Sequence, residues 1–118
     1  MTNPVAIIRH VAEGELAWDG LAFICPGCKL LWEEGASGLH MLPVNSTTKT
    51  PQWKWDGNLE APTLSPSILT KHGPVVDGAL TGVCHSFLKA GVFQYLDDCT
   101  HPLKGQFVPM IPLEDWML

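Results

Sequence analysis

Val83-Cys84-His85-Ser86-Phe87-Leu88-Lys89-Ala90-Gly91-Val92-Phe93-Gln94-Tyr95-Leu96-Asp97 decides the reading of the fold. Strand-forming residues run on either side of Lys89-Ala90-Gly91, and a glycine-bearing turn between two such runs is a β-hairpin signal. Residues 83–88 form one strand and 92–96 the return. The open end of this hairpin gathers Cys84 and His85 with Asp97, Asp98 and Cys99.

Outward from the hairpin, the pieces stay short because ten prolines and eleven glycines interrupt the chain. Residues 5–8 read as a strand and 12–20 as a polar link. Residues 21–24 lead straight into Cys25-Pro26-Gly27-Cys28, and residues 39–44 form a further strand. The cysteine pair therefore sits on a knuckle at the top of a hairpin. Residues 33–38 and 45–51 read as loops, and 52–56 as a half-buried strand. Residues 62–69 are extended, since each proline pushes its predecessor toward β geometry. Residues 71–82 read as a glycine-rich mobile loop, 105–108 as a strand, and 112–117 as a helical turn. The expected fold is mostly β: a small single-domain sheet or barrel-like fold over residues 1–118, with a zinc knuckle and little helix.

Length and composition agree with one globular domain, 118 residues long and 46% hydrophobic. A net charge of −5 without any basic run argues against a nucleic-acid backbone as partner. No apolar stretch approaches the roughly 20 residues needed to span a bilayer. The N-terminus carries no secretory pattern, so a cytoplasmic location is expected. In that compartment four cysteines point to metal ligation or thiol chemistry, because thiols there are kept reduced.

The spacing of Cys25 and Cys28 lets two thiolates face one ion, and thiolates are the soft ligands zinc favours. In redox proteins the same motif opens a helix, and residues 29–32 are a short run for one. The hairpin adds Cys84 and Cys99, which makes Zn2+ the expected cofactor, held by Cys25, Cys28, Cys84, Cys99 and the neighbouring His85. Cys84 and His85 face opposite sides of a regular strand, so a bulge is needed for both to reach one ion. His101 and His40 are further candidates as ligands or as groups beside the metal, and Asp98 could orient a ligating histidine. Trp53 and Trp55 share one strand face and read as core or edge packing. Ser65 and Ser67 flank Pro66. A nucleophilic serine needs an adjacent base, and none stands beside them in the sequence, so they read as turn residues.

Five ordered blocks carry a resemblance: Cys25-Pro26-Gly27-Cys28, Trp53-Lys54-Trp55-Asp56-Gly57-Asn58, Pro62-Thr63-Leu64-Ser65-Pro66-Ser67, Cys84-His85-Ser86-Phe87 and Asp98-Cys99-Thr100-His101-Pro102-Leu103-Lys104-Gly105. Together they resemble a small cysteine-bearing family of phages and prophages whose members often bear the label "ammonia monooxygenase". That label implies a multi-subunit copper enzyme of the membrane, which a chain without a membrane span does not match. The pattern is also distantly similar to small metal-binding proteins encoded beside bacterial ubiquitin-like conjugation genes and regarded as zinc peptidases. The matching positions are Cys25, Cys28, Ser65-Pro66-Ser67-Ile68, Cys84 and His85. The histidine expected soon after the knuckle corresponds to His40, displaced by an insertion over residues 33–37.

Two functions follow as expectations. The first is a zinc-stabilised module that binds a protein or small ligand, in the host cytoplasm if phage-encoded. The second is a zinc-dependent hydrolase in which His101, Asp98 or His40 assists a metal-bound water.

Overall fold

The computed structural model describes residues 2–32, 37–45 and 51–118, apart from the side chains of Glu13 and Leu16. Among the described residues, eight strands form two antiparallel sheets. The first carries β1 (Ala6–Glu13), β2 (Leu16–Ile24) and β3 (Leu39–Val44), in that order. The second runs β4 (Lys54–Trp55), β5 (Leu64–Val76), β6 (Ala79–Lys89), β7 (Val92–Tyr95) and β8 (Phe107–Pro109). A bridge between Val44 and Trp53 links the two. The architecture is mostly β, as the sequence implies.

The central hairpin pairs Ser86 with Tyr95 and Leu88 with Phe93. Ala90 and Gly91 both take positive φ, 48° and 75°, the conformation that joins two twisted strands by a two-residue turn. Along β6, Gly82, Cys84, Ser86 and Leu88 are buried while Val83, His85 and Phe87 are only partly so. This period of two splits the strand into an inner and an outer face. The inner residues join Leu21, Phe23, Phe93 and Tyr95 in one core between the sheets.

Three segments differ from the sequence expectation. The polar link at 12–20 is a hairpin: Glu13 pairs with Leu16, and Gly14 supplies a φ of 63°. The presumed mobile loop at 71–82 is the far end of the β5–β6 hairpin, where Val76 pairs with Ala79. Asp77-Gly78 turns it with φ of 51° and 80°, a turn signal outweighed in the sequence by the surrounding glycines and proline. The knuckle itself opens a six-residue helix, α1 (Pro26–Leu31), which contains Cys28. Pro26 occupies its first turn and Cys25 caps it, the thiol accepting from the Cys28 N–H. Proline's fixed φ suits a helix start and its missing N–H costs nothing there. The inserted segment at 33–36 and the loop at 46–50 lie outside the described residues. Among the described residues, no helix is long and apolar enough to cross a membrane.

Candidate functional site

Cys84 and His85 are neighbours in sequence and look in opposite directions, because β6 does not bulge between them. The chain therefore builds two sites back to back.

On the inner face, the thiols of Cys25, Cys28 and Cys84 lie within 4.8 Å of one another, all buried. Cys25 Sγ stands 3.6 Å from Cys84 Sγ. Tetrahedral zinc with bonds of about 2.3 Å separates its sulfurs by roughly 3.8 Å, so the spacing fits such an ion. Hydrogen bonds from Cys28 and then Cys84 hold the Cys25 thiol far below its ordinary value, with His40 and Tyr95 adding to the effect. The same bonds push Cys28 and Cys84 up, since they donate to that charge. Three buried thiols this close together are a donor set that a soft dication could occupy.

The wall of this site is polar and buried. Tyr95 Oη accepts from the Gly27 N–H at 2.9 Å and reaches Cys25 Sγ at 3.3 Å. Thr70 Oγ1 lies 3.1 Å from Cys28 Sγ, donates to the Cys84 carbonyl at 3.4 Å and meets His72 Nε2 at 3.0 Å. His101 stands edge-on to Tyr95, and its Nδ1 accepts from the Leu103 N–H. Its Nε2 is buried without a hydrogen-bond partner, as is that of His40. Burial pushes both His72 and His101 below the ordinary imidazole value. Gly27 is required here: a Cβ would lie 2.4 Å from His101 Nε2 and 2.8 Å from Tyr95 Cε1.

On the outer face, the Asp98 carboxylate accepts from His85 Nδ1 at 2.9 Å, and its second oxygen lies 3.2 Å away. His85 Nε2 stands 3.0 Å from Ser67 Oγ. An acceptor at Nδ1 fixes the proton on that nitrogen and leaves the Nε2 lone pair toward the serine hydroxyl. Serine, histidine and aspartate are thus connected in the order that a nucleophile, its base and an orienting carboxylate would take. Register explains the arrangement. His85 pairs with Leu69, and Ser67, two residues along β5, shares the outer face within reach of a long side chain.

Ser67 was read from the sequence as a turn residue, and the structure corrects this. Its base arrives from another strand, so no local motif announces it. His85 and Cys99 do not join the three thiols. Cys99 instead closes on the His85 backbone: its sulfur accepts from the His85 N–H and donates to the His85 carbonyl, both at 3.2 Å. Cys99 stays on the β7 side of β6 because residues 96–99 turn back there, with Leu96 N–H on the His85 carbonyl and Cys99 N–H on Leu96. Of the residues expected to assist a metal-bound water, Asp98 faces His85, whereas His40 and His101 line the inner site. The inner thiols are thus separated from the serine, histidine and aspartate by the thickness of the sheet.

The fold and the site together define a small β domain with a Ser–His–Asp relay on one face of a sheet and a thiol cluster on the other. The chain belongs to the BubE family, described as "Bacterial ubiquitination-like system serine protease", whose model matches residues 4–96. The match includes Ser67 and His85 and ends two residues before Asp98. No curated protein and no solved structure matches the chain.

Proposed function

We propose that this chain is a serine peptidase of a ubiquitination-like system, with Ser67 as nucleophile, His85 as general base and Asp98 as orienter. The observation that carries this is the unbroken hydrogen-bonded line from Ser67 Oγ through both nitrogens of His85 to the Asp98 carboxylate. The family description supports the same reaction class.

In the reaction, Ser67 Oγ attacks the carbonyl of the scissile bond as His85 Nε2 takes the hydroxyl proton. The Asp98 charge stabilises the imidazolium that forms. The imidazolium then gives its proton to the departing amine, leaving an acyl ester on Ser67. Water, deprotonated by His85, releases the acid and restores the serine.

The inner cluster has a separate role. Cys25, Cys28 and Cys84 would hold a structural zinc ion, and His40, whose Nε2 is buried without a partner, would supply the fourth donor. These residues come from α1 and from β6, so a shared ion would join the first sheet's connection to the second sheet, and thiolate ligands suit a reducing, cytoplasmic setting. The reaction needs nothing from it directly.

Labelling with a fluorophosphonate probe tests the assignment. Wild type and Ser65→Ala are expected to label, and Ser67→Ala and His85→Ala to remain unlabelled while keeping the wild-type circular dichroism spectrum. Labelling that survives in Ser67→Ala would place the nucleophile elsewhere.

A further inference from the structure

Among the described residues, β5 is paired on one side only over most of its length. β4 pairs only with Leu64 and Ser65. From Ile68 to His72, β5 pairs on one side with Ser86 to Gly82 of β6, and among the described residues no strand lies against its other side.

The direction of the backbone groups along that edge can be worked out. The Val83 carbonyl accepts from the Thr100 N–H and the His85 carbonyl from the Leu96 N–H, both at 2.9 Å. The odd residues of β6 therefore turn their backbone away from β5, and the even ones turn toward it. Their partners follow: Ile68, Thr70 and His72 bond to β6, while Leu69 and Lys71 direct N–H and C=O outward to the open edge. An unpaired edge of this kind is a template for another strand.

The edge is bounded. The regular pairing of β5 with β6 breaks at both ends, between Leu64 and Ile68 and between His72 and Val75, around Pro66 and Pro74. At the Ser67 end, the Trp53 indole already donates to the Ser67 carbonyl at 3.3 Å. An added strand must leave the edge there, beside the serine hydroxyl. At the other end, residues 71–74 line a cavity of about 560 Å³ with Leu31, Trp32 and Leu80. The cavity thus lies at the far end of the edge stretch, where the register of β5 on β6 shifts between His72 and Val75.

We infer that the open edge of β5 takes an extended segment of the polypeptide substrate as an added strand. Leu69 and Lys71 hold its backbone, and the cavity takes an apolar side chain. This rests on Ser67 being the nucleophile. At roughly 3.3 Å per residue, the cavity lies about four to six residues from the scissile bond. The substrate class is thus an unfolded peptide segment or protein tail that leads an apolar residue into the cavity, rather than a compact loop.

The test uses the full chain, a random dodecapeptide pool read by mass spectrometry, and p-nitrophenyl acetate, which is too small to use the edge. Lys71→Pro removes an N–H that β6 does not use, and Lys71→Ala retains it. Lys71→Pro is expected to hydrolyse the ester within about twofold of wild type and to cleave the pool about tenfold more slowly, the order of effect of one unmade backbone hydrogen bond. Lys71→Ala, which keeps the N–H, is expected to cleave the pool several-fold faster than Lys71→Pro. Cleaved peptides should be enriched in an apolar residue four to six positions from the cut. In a peptide recovered from the pool, N-methylation of alternate amides should block cleavage in one phase and spare it in the other, which needs no protein variant. Wild-type pool cleavage by Lys71→Pro, or indifference to the phase of methylation, overturns the inference. Ester turnover without any cleaved peptide overturns it and leaves the relay standing. Loss of both ester turnover and fluorophosphonate labelling in the wild type removes the relay, and the edge reading with it.

Discussion

Replacing Asp98 with asparagine tests how the outer site works, because it removes charge and little else. The carboxylate lies 2.9 Å from His85 Nδ1, with the aspartate side chain 56% exposed and the histidine 24%. Two opposite unit charges at that separation attract by ~1.4 kcal/mol at the dielectric constant of water and ~5.7 kcal/mol at an effective constant of 20. A half-exposed carboxylate falls between these limits, at roughly 2–3 kcal/mol after solvent screening. The imidazolium exists only once the serine has given up its proton, so this attraction acts on the transition state. At about 1.4 kcal/mol per decade, Asp98→Asn should lower kcat for p-nitrophenyl acetate by roughly 30- to 150-fold. The fall is smaller than the ~10⁴-fold seen where the aspartate of such a relay is buried. The exposed carboxamide can rotate its oxygen toward Nδ1, so the tautomer survives and only the charge is lost. The assay is steady-state and burst kinetics of Asp98→Asn beside wild type and Ser67→Ala. A kcat within twofold of wild type would show that the Asp98 charge is not used. A fall of 10⁴ would refute the screening argument.

Three further outcomes follow. If the inner thiols hold zinc as proposed, purified wild type should contain it by plasma mass spectrometry, Cys28→Ser should contain far less and melt at lower temperature, and Cys99→Ser should contain as much as wild type. Equal zinc loss in both variants would place Cys99 in the coordination shell. Gly27→Ala drives a methyl group into His101 and Tyr95 and should cost about 1–3 kcal/mol. That is a melting-temperature drop of several degrees for a domain of this size, and a melt within a degree of wild type would contradict it. Burial lowers the His101 pKa, so the unfolded chain binds the proton more readily than the folded one. The stability that follows is fully present above the unfolded value of about 6.5 and is lost as pH falls below it toward the folded value. His101→Gln should flatten the fall in melting temperature between pH 7.5 and 5.5, and an unchanged slope would remove His101 from that dependence.

The legible part of this chain was the part written locally. The turn at Ala90-Gly91 and the alternation around it gave the central hairpin, and the knuckle spacing marked Cys25 and Cys28. The hairpin groups Cys84 with Cys99, the resemblance matches it together with Cys25 and Cys28, and the structure sets its sulfur among theirs. The relay was not legible for a physical reason. Ser67 and His85 meet through the register of β5 on β6, and register depends on which faces are buried and on a shift between Leu64 and Ile68. Spacing along the chain carries neither fact. Cys99 misled in the opposite way: its nearness to Cys84 in the hairpin was real, but the turn at 96–99 spent its sulfur on the His85 backbone.

The opposed directions of Cys84 and His85 have an experimental consequence. A chelator that strips the inner thiols would loosen the strand carrying His85, and proteolysis would stop. On the usual diagnostic, loss of activity with chelator and recovery with zinc, this protein would be filed among metallopeptidases. The distinction lies in order of events: a fluorophosphonate bound to Ser67 before chelation would stay bound, and zinc added back would return structure without returning turnover.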